Sequence, residues 1–78
     1  MNIEFEKEFG NNLRKIRESH KMTQEMLATK MQLRGCDITR SAVAKIEVAQ
    51  RHIYPDEILL IKEIFNVSFD EMFYKKDV

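Results

Sequence analysis

Thr23-Gln24-Glu25-Met26-Leu27-Ala28 and, further along, Thr39-Arg40-Ser41-Ala42-Val43-Ala44-Lys45-Ile46-Glu47 are the two stretches on which the reading of this chain turns. Each opens on a threonine, whose hydroxyl can accept a backbone N–H from the first turn of a helix. In the first, Gln24 and Glu25 follow the cap, and Met26, Leu27 and Met31 supply a short apolar stripe. In the second, Val43 and Ile46 recur at helical spacing and turn inward, which leaves Arg40, Ser41 and Lys45 on the outer face. The stretch Gln32 to Asp37, with Gly35 inside it, breaks the periodicity between them. The reading is therefore two short capped helices, the second polar outside, with an extended turn over 32–38.

Working outward, Phe5, Phe9, Leu13 and Ile16 recur every three to four residues and line one face of a preceding helix that ends over Ser19 to Met22. Gly10 interrupts it at a cost of about 1 kcal/mol relative to alanine. After the second stretch, Pro55 suits the first position of a fourth helix, whose Ile58, Leu59, Ile61, Ile64 and Phe65 are apolar over more than one face. Asn66 suits a left-handed terminus, and Ser68-Phe69-Asp70-Glu71 has the spacing of a capping box opening a fifth helix with Met72 and Phe73 inward. Two glycines and one proline are too few breakers for a set of short strands. The expectation is an all-α, five-helix fold in a single domain over residues 1–78.

Seventy-eight residues exclude a two-domain enzyme. One cysteine, Cys36, forms no internal disulfide, and the opening Met1 to Glu8 lacks the basic and apolar regions of a signal peptide, so a reducing cytoplasm is expected. The longest apolar run, Ile58 to Ile61, is far short of the ~20 residues that span a bilayer, so no membrane partner is expected. Cys36, His20 and His52 do not approach a zinc spacing, no glycine-rich phosphate loop is present, and nothing orients a Cys–His dyad. Neither metal, cofactor nor catalysis is expected. Met22, Met26, Met31 and Met72 fall at apolar helical positions and read as adaptable core filler.

A short capped helix, a connection and a second short helix with a polar outer face form the layout of a helix-turn-helix, here about 23–48. Together with the residues quoted above, this layout resembles the Xre family, the lambda-repressor and Cro-like regulators, over most of the chain from Phe9 to Phe73. The resemblance implies a compact five-helix domain that binds double-stranded DNA with helix three in the major groove. Residue by residue, it implies that Gln24 holds a backbone phosphate beside the exposed amides of a helix N-terminus. It implies that Arg40, Ser41 and Lys45 read base edges, with Arg40 and Lys45 suited to guanine O6 and N7. The methyl of Ala42 would face thymine, Thr39 at the head of the reading helix would join the DNA contacts, and Arg51 would meet backbone beyond it. Arg17 and Glu47 match an ion pair that sets the angle of helix three.

The chain departs from the family pattern in three places. Gln32 to Cys36 is an insertion in a tight connection, which would change the angle between the two helices or add a contact through Arg34. Ala49 stands where glycine is usual, so the left-handed turn after helix three must be made otherwise. Pro55 comes two positions late.

The function expected is that of a sequence-specific regulator, a repressor that binds a palindromic operator as a homodimer and associates with the nucleoid. The surplus apolar residues of the last two helices would form the dimer surface. The rival is a protein-interaction module, an antitoxin or accessory regulator, that uses the scaffold and its insertion to dock another protein.

Thirteen basic and thirteen acidic residues leave no formal net charge, which by itself speaks against a polyanion partner. The distribution is uneven. Residues 30–52 carry five cations against two acids, a net of +3, and residues 53–78 carry three against six, a net of −3. Such a dipolar chain can turn its basic segment toward phosphate while its acidic end stays away.

Overall fold

A computed structural model describes residues 2–74. Within it the side chain of Asn2 accepts the Phe5 N–H and opens α1 (Ile3–Ser19). The two threonines cap as their spacing predicts. Thr23 Oγ1 accepts the Met26 N–H at the head of α2 (Gln24–Gln32), and Thr39 Oγ1 accepts the Ala42 N–H at the head of α3 (Arg40–Glu47), both at 3.1 Å. Pro55 occupies the first turn of α4 (Pro55–Phe65), and Ser68 Oγ accepts the Glu71 N–H to start α5 (Phe69–Phe73). The capping box expected at α5 is half made, because the return bond from the Glu71 side chain is missing among the described residues. All of the regular structure among the described residues is helical.

The helix ends account for how so few glycines suffice. After α1, the Met22 N–H donates to the Arg17 carbonyl and the Lys21 N–H to that of Glu18, with Lys21 at φ 56°. After α2, Cys36 donates to Met31 and Gly35 to Gln32, with Gly35 at φ 88°; after α3, Gln50 donates to Lys45 and Ala49 to Ile46, with Ala49 at φ 61°. Asn66, at φ 52°, closes α4 in the same way. This is one motif used four times, in which two backbone bonds satisfy the orphan carbonyls of the last turn and one residue sits left-handed. The expectation that Ala49 forces a different turn is corrected: Ala49 itself takes the left-handed conformation, a strain of ~1–2 kcal/mol that the two closing bonds offset.

The insertion also folds differently from expectation. Gln32 belongs to α2, and the chain from Leu33 to Gly35 is the closing turn of that helix rather than a free loop. Arg34 reaches back to the Lys30 carbonyl of its own helix, the Gln32 side chain donates to the Ile38 carbonyl at 2.6 Å, and Ile38 enters the core. The extension is thus tied down at both ends.

The core joins Phe9 and Leu13 of α1, Leu27 and Met31 of α2, Val43 and Ile46 of α3, Ile61 and Phe65 of α4 and Met72 of α5. Asn12 Nδ2 donates to the Met72 carbonyl inside it, linking α1 to α5. Phe5 departs from the expected inner face of α1 and is 43 % exposed, and Met22 lies in the α1–α2 connection rather than on a helix.

Gly10 is more than a tolerated break in α1. A Cβ placed there would lie 2.5 Å from the Glu47 carbonyl oxygen and 2.6 Å from that of Ile46, so the absent side chain lets α1 lie directly against the end of α3.

Candidate DNA-binding face

The threonine cap of α3 sets the rotation of that helix. With Val43, Ile46 and Glu47 buried, Arg40, Ser41 and Lys45 are left exposed, and Ser41 and Lys45, four residues apart, share a face. Arg40 and Lys45 form no ion pair among the described residues. Ala42, expected to face the groove, is half-buried and packs in part against the core. Thr39 is exposed, with its hydroxyl committed to the cap.

Arg40 shares an open polar recess with Lys21, Thr23, Gln24 and Glu25, so the head of α3 and the head of α2 meet on one surface. The backbone N–H groups of the first turn of α2 carry the positive end of that helix. The recess sets helix-end amides, the Gln24 side chain, Lys21 and Arg40, all able to donate to an anionic oxygen, beside the carboxylates of Glu18 and Glu25.

Behind the recess, three elements are held by one carboxylate. Glu47 Oε2 accepts from Arg17 Nε at 2.7 Å, and Glu47 Oε1 accepts from Arg17 Nη2 at 3.1 Å and from Gln24 Nε2 at 3.0 Å. Arg17 Nη1 donates in addition to the Met22 carbonyl at 2.7 Å. The Glu47 side chain is 1 % exposed and that of Arg17 10 %. The hydrogen bond to Glu47 raises the pKa of the Arg17 guanidinium against the opposing effect of burial. One amide hydrogen of Gln24 is therefore engaged with Glu47, and the network ties α1, α2 and α3 together at the base of α3.

Arg51, expected to meet DNA backbone beyond α3, is engaged within the protein. Its fork binds both oxygens of Glu57, at 2.9 and 3.0 Å, donates to the His52 carbonyl, and lies 5.0 Å from the centre of the Tyr54 ring. Glu57 also accepts the Tyr54 N–H at 2.9 Å. Arg51 thus fastens the α3–α4 loop to the first turn of α4. Glu57 escaped the sequence reading although proline at the first helical position followed by Glu two residues later is a capping signal; a tyrosine in the cap position concealed it.

Burial pushes the Glu57 carboxyl up, but the hydrogen bonds from Arg51 and Tyr54 and the guanidinium charge outweigh it and hold the group below the usual carboxylate value. The unfolded chain therefore takes up a proton that native Glu57 refuses. This contribution is complete above the ordinary carboxylate range, near ~4.3, and is lost as pH falls through and below it. Urea unfolding across that range should show a shallower loss of stability in Glu57→Gln than in the parent. Equal slopes would mean that Arg51 does not hold Glu57 ionised.

Of the acidic C-terminal segment, Lys75, Lys76 and Asp77 lie outside the described residues, and no helix among the described residues is long and apolar enough to cross a membrane. Comparison with known families matches residues 13–72 to a model described as helix-turn-helix, a span that contains both capped helices and Glu47. No curated protein and no solved structure gives a significant match.

Proposed function

This chain belongs to the helix-turn-helix family of Xre and lambda-repressor-like DNA-binding regulators, and from that premise we propose that it represses transcription by occupying a palindromic operator as a homodimer, with α3 in the major groove. The observation that carries the reading is the shared surface of the two helix heads. Arg40, with Ser41 and Lys45 on the outer face of α3, stands beside the recess at the head of α2. In this reading Arg40 and Lys45 contact base edges, Ser41 donates or accepts beside them, and Gln24 holds a phosphate with its remaining amide hydrogen. Glu47 positions Gln24 for that contact. Arg51 acts indirectly, by fixing the loop after α3.

The apolar residues left exposed on the last two helices, Leu59 and Phe69, are the surface on which two copies would meet. A two-fold dimer would set its reading helices about 34 Å apart, one turn of DNA.

One feature favours the rival reading. Leu33, at the end of α2, is 82 % exposed and lines a recess with Met26 and Lys30, the kind of apolar spot a partner protein covers. Titration with the DNA upstream of the coding region at several salt concentrations separates the two. The repressor reading expects affinity to fall steeply with salt, with a slope near about −0.9 per neutralised phosphate, and to be competed by sequence. Arg40→Ala should cost ~1–3 kcal/mol of binding and relax base preference while the helical content and thermal transition stay unchanged. Tight binding with unchanged preference would remove Arg40 from the interface. No detectable, salt-sensitive binding would leave the protein-interaction reading.

A further inference from the structure

A second concavity lies away from the reading face, between the start of α1, the loop after α3 and α5. It has a volume of about 200 Å3, with Phe5, Phe9, Ile46, Ile53 and Phe73 as apolar walls. The Phe9 and Phe73 rings are 4.9 Å apart and those of Phe5 and Phe73 6.0 Å apart, so three aromatic rings form one side. Packing leaves this side incomplete, because Phe5 remains 43 % exposed. At the rim, His52 Nδ1 lies 2.6 Å from Glu6 Oε1, joining residues far apart in sequence. The Glu6 side chain is 20 % exposed, and its second oxygen has no protein partner among the described residues.

We propose that this concavity is a binding site for a small, neutral, planar aromatic molecule that carries one N–H or O–H donor. The volume sets the size. An apolar cavity of roughly 150 Å3 takes benzene, so this one suits a single ring or a fused pair. The walls set the chemistry, since a flat ring can stack on or pack edgewise against Phe5 and Phe73. The rim sets the functional group: the second oxygen of Glu6 accepts one hydrogen bond from an N–H or O–H donor, and the apolar walls favour a neutral molecule over a charged one. Arg51, the cation at this edge, is committed to Glu57 and adds no free charge.

The position gives such a ligand a route to the rest of the molecule. Ile46 belongs to α3, one residue before Glu47, and Ile53 belongs to the loop that Arg51 fastens. A ring seated here touches the inner side of the helix that carries Arg40 and Lys45. On the DNA-binding reading, occupancy would alter operator affinity. The binding itself does not depend on that reading, and the test below needs no DNA.

The full chain is titrated with indole and followed through its isoleucine methyl and phenylalanine ring resonances, with benzofuran, the same shape without the donor, as comparison. Saturable shifts at Ile46, Ile53 and Phe73 are expected, with benzofuran about fivefold weaker for want of the Glu6 bond. Ile53→Trp, which fills the space, should abolish the shifts with the thermal transition retained. If that variant does not fold, Phe5→Ala, at an exposed wall, should weaken indole binding by at least about fivefold. Shifts that do not saturate, that spread over the whole surface, or that persist unchanged in these variants overturn the proposal. So does an equal response to benzofuran. If the same methyl signals move on simple dilution without indole, the groove is covered by a second copy of the chain and the proposal fails. A change in DNA affinity without these shifts would leave the regulator reading standing and this site refuted.

Discussion

Replacing Glu47 with alanine is expected to cost ~3–5 kcal/mol of stability, because it leaves the Arg17 guanidinium buried without its charge partner. In a domain of this length each kcal/mol corresponds to a shift of roughly 4–8 °C in Tm, so the melting temperature should fall by ~12 °C or more. The cause is asymmetric. Forming a buried ion pair yields little net stability, since desolvation of both charges offsets most of their attraction, whereas removing one partner leaves an uncompensated charge. The double variant Arg17→Met with Glu47→Leu, which removes both charges and keeps apolar volume, should therefore recover most of the loss. A single variant that melts within ~2 °C of the parent would show that water reaches Arg17 and that the pair belongs with surface ion pairs. The double variant also separates stability from function. It frees Gln24 from Glu47, so a folded protein with weakened DNA binding would place the value of the network in positioning α2 and α3.

Gly10→Ala is the second large effect, and here two terms of opposite sign compete. Alanine is the better helix former by ~1 kcal/mol in the interior of α1. Against this, its Cβ would meet backbone atoms at 2.5 to 2.8 Å, all from Ile46 and Glu47 at the end of α3. Backbone at a helix terminus does not swing away as the tip of a flexible side chain does. The two helices must separate, which strains the core and lengthens the Arg17–Glu47 hydrogen bonds at the same contact. Overpacking of this kind costs ~1–3 kcal/mol and occasionally more, and the coupling to the buried pair puts the expected net loss at about 3 kcal/mol. Chemical denaturation of the variant measures it. A stability equal to or above that of the parent would show that α1 and α3 part without penalty and would remove Gly10 as the determinant of their approach.

The local structure of the chain was largely legible in its residues. Thr23, Thr39 and Ser68 cap by hydroxyl, Pro55 begins α4 and Asn66 ends it, and each acts within one turn of its own position. The inward turn of Val43 and Ile46 follows from 3.6-residue periodicity alone. Where the reading failed, the deciding atom was distant or the residue was atypical. Ala49 lacks the usual signature of a left-handed residue, and its conformation depends on two backbone bonds that close only when α3 ends there. The pairing of Arg51 with Glu57 was also not foreseen, because it depends on how the loop after α3 meets α4. The half-burial of Ala42, likewise, is set by the neighbouring helices rather than by its own turn.

Sequence by itself determined the number of helices, the hydroxyl caps of α2, α3 and α5 and the polar face of α3, because these rest on periodicity and on hydrogen bonds spanning three or four residues, and its resemblance to known regulators pointed to the helix-turn-helix family. Tertiary structure alone decided which charges are free. The even balance of thirteen cations and thirteen acids says nothing about this. Folding brings Glu47 to Arg17, thirty residues away in sequence, and Glu57 to Arg51, and leaves Arg40 and Lys45 without acidic partners among the described residues. The reason is the short range of the interaction: screened by water, a charge is neutralised only by a partner within a few ångströms, and those distances are set by how the helices pack.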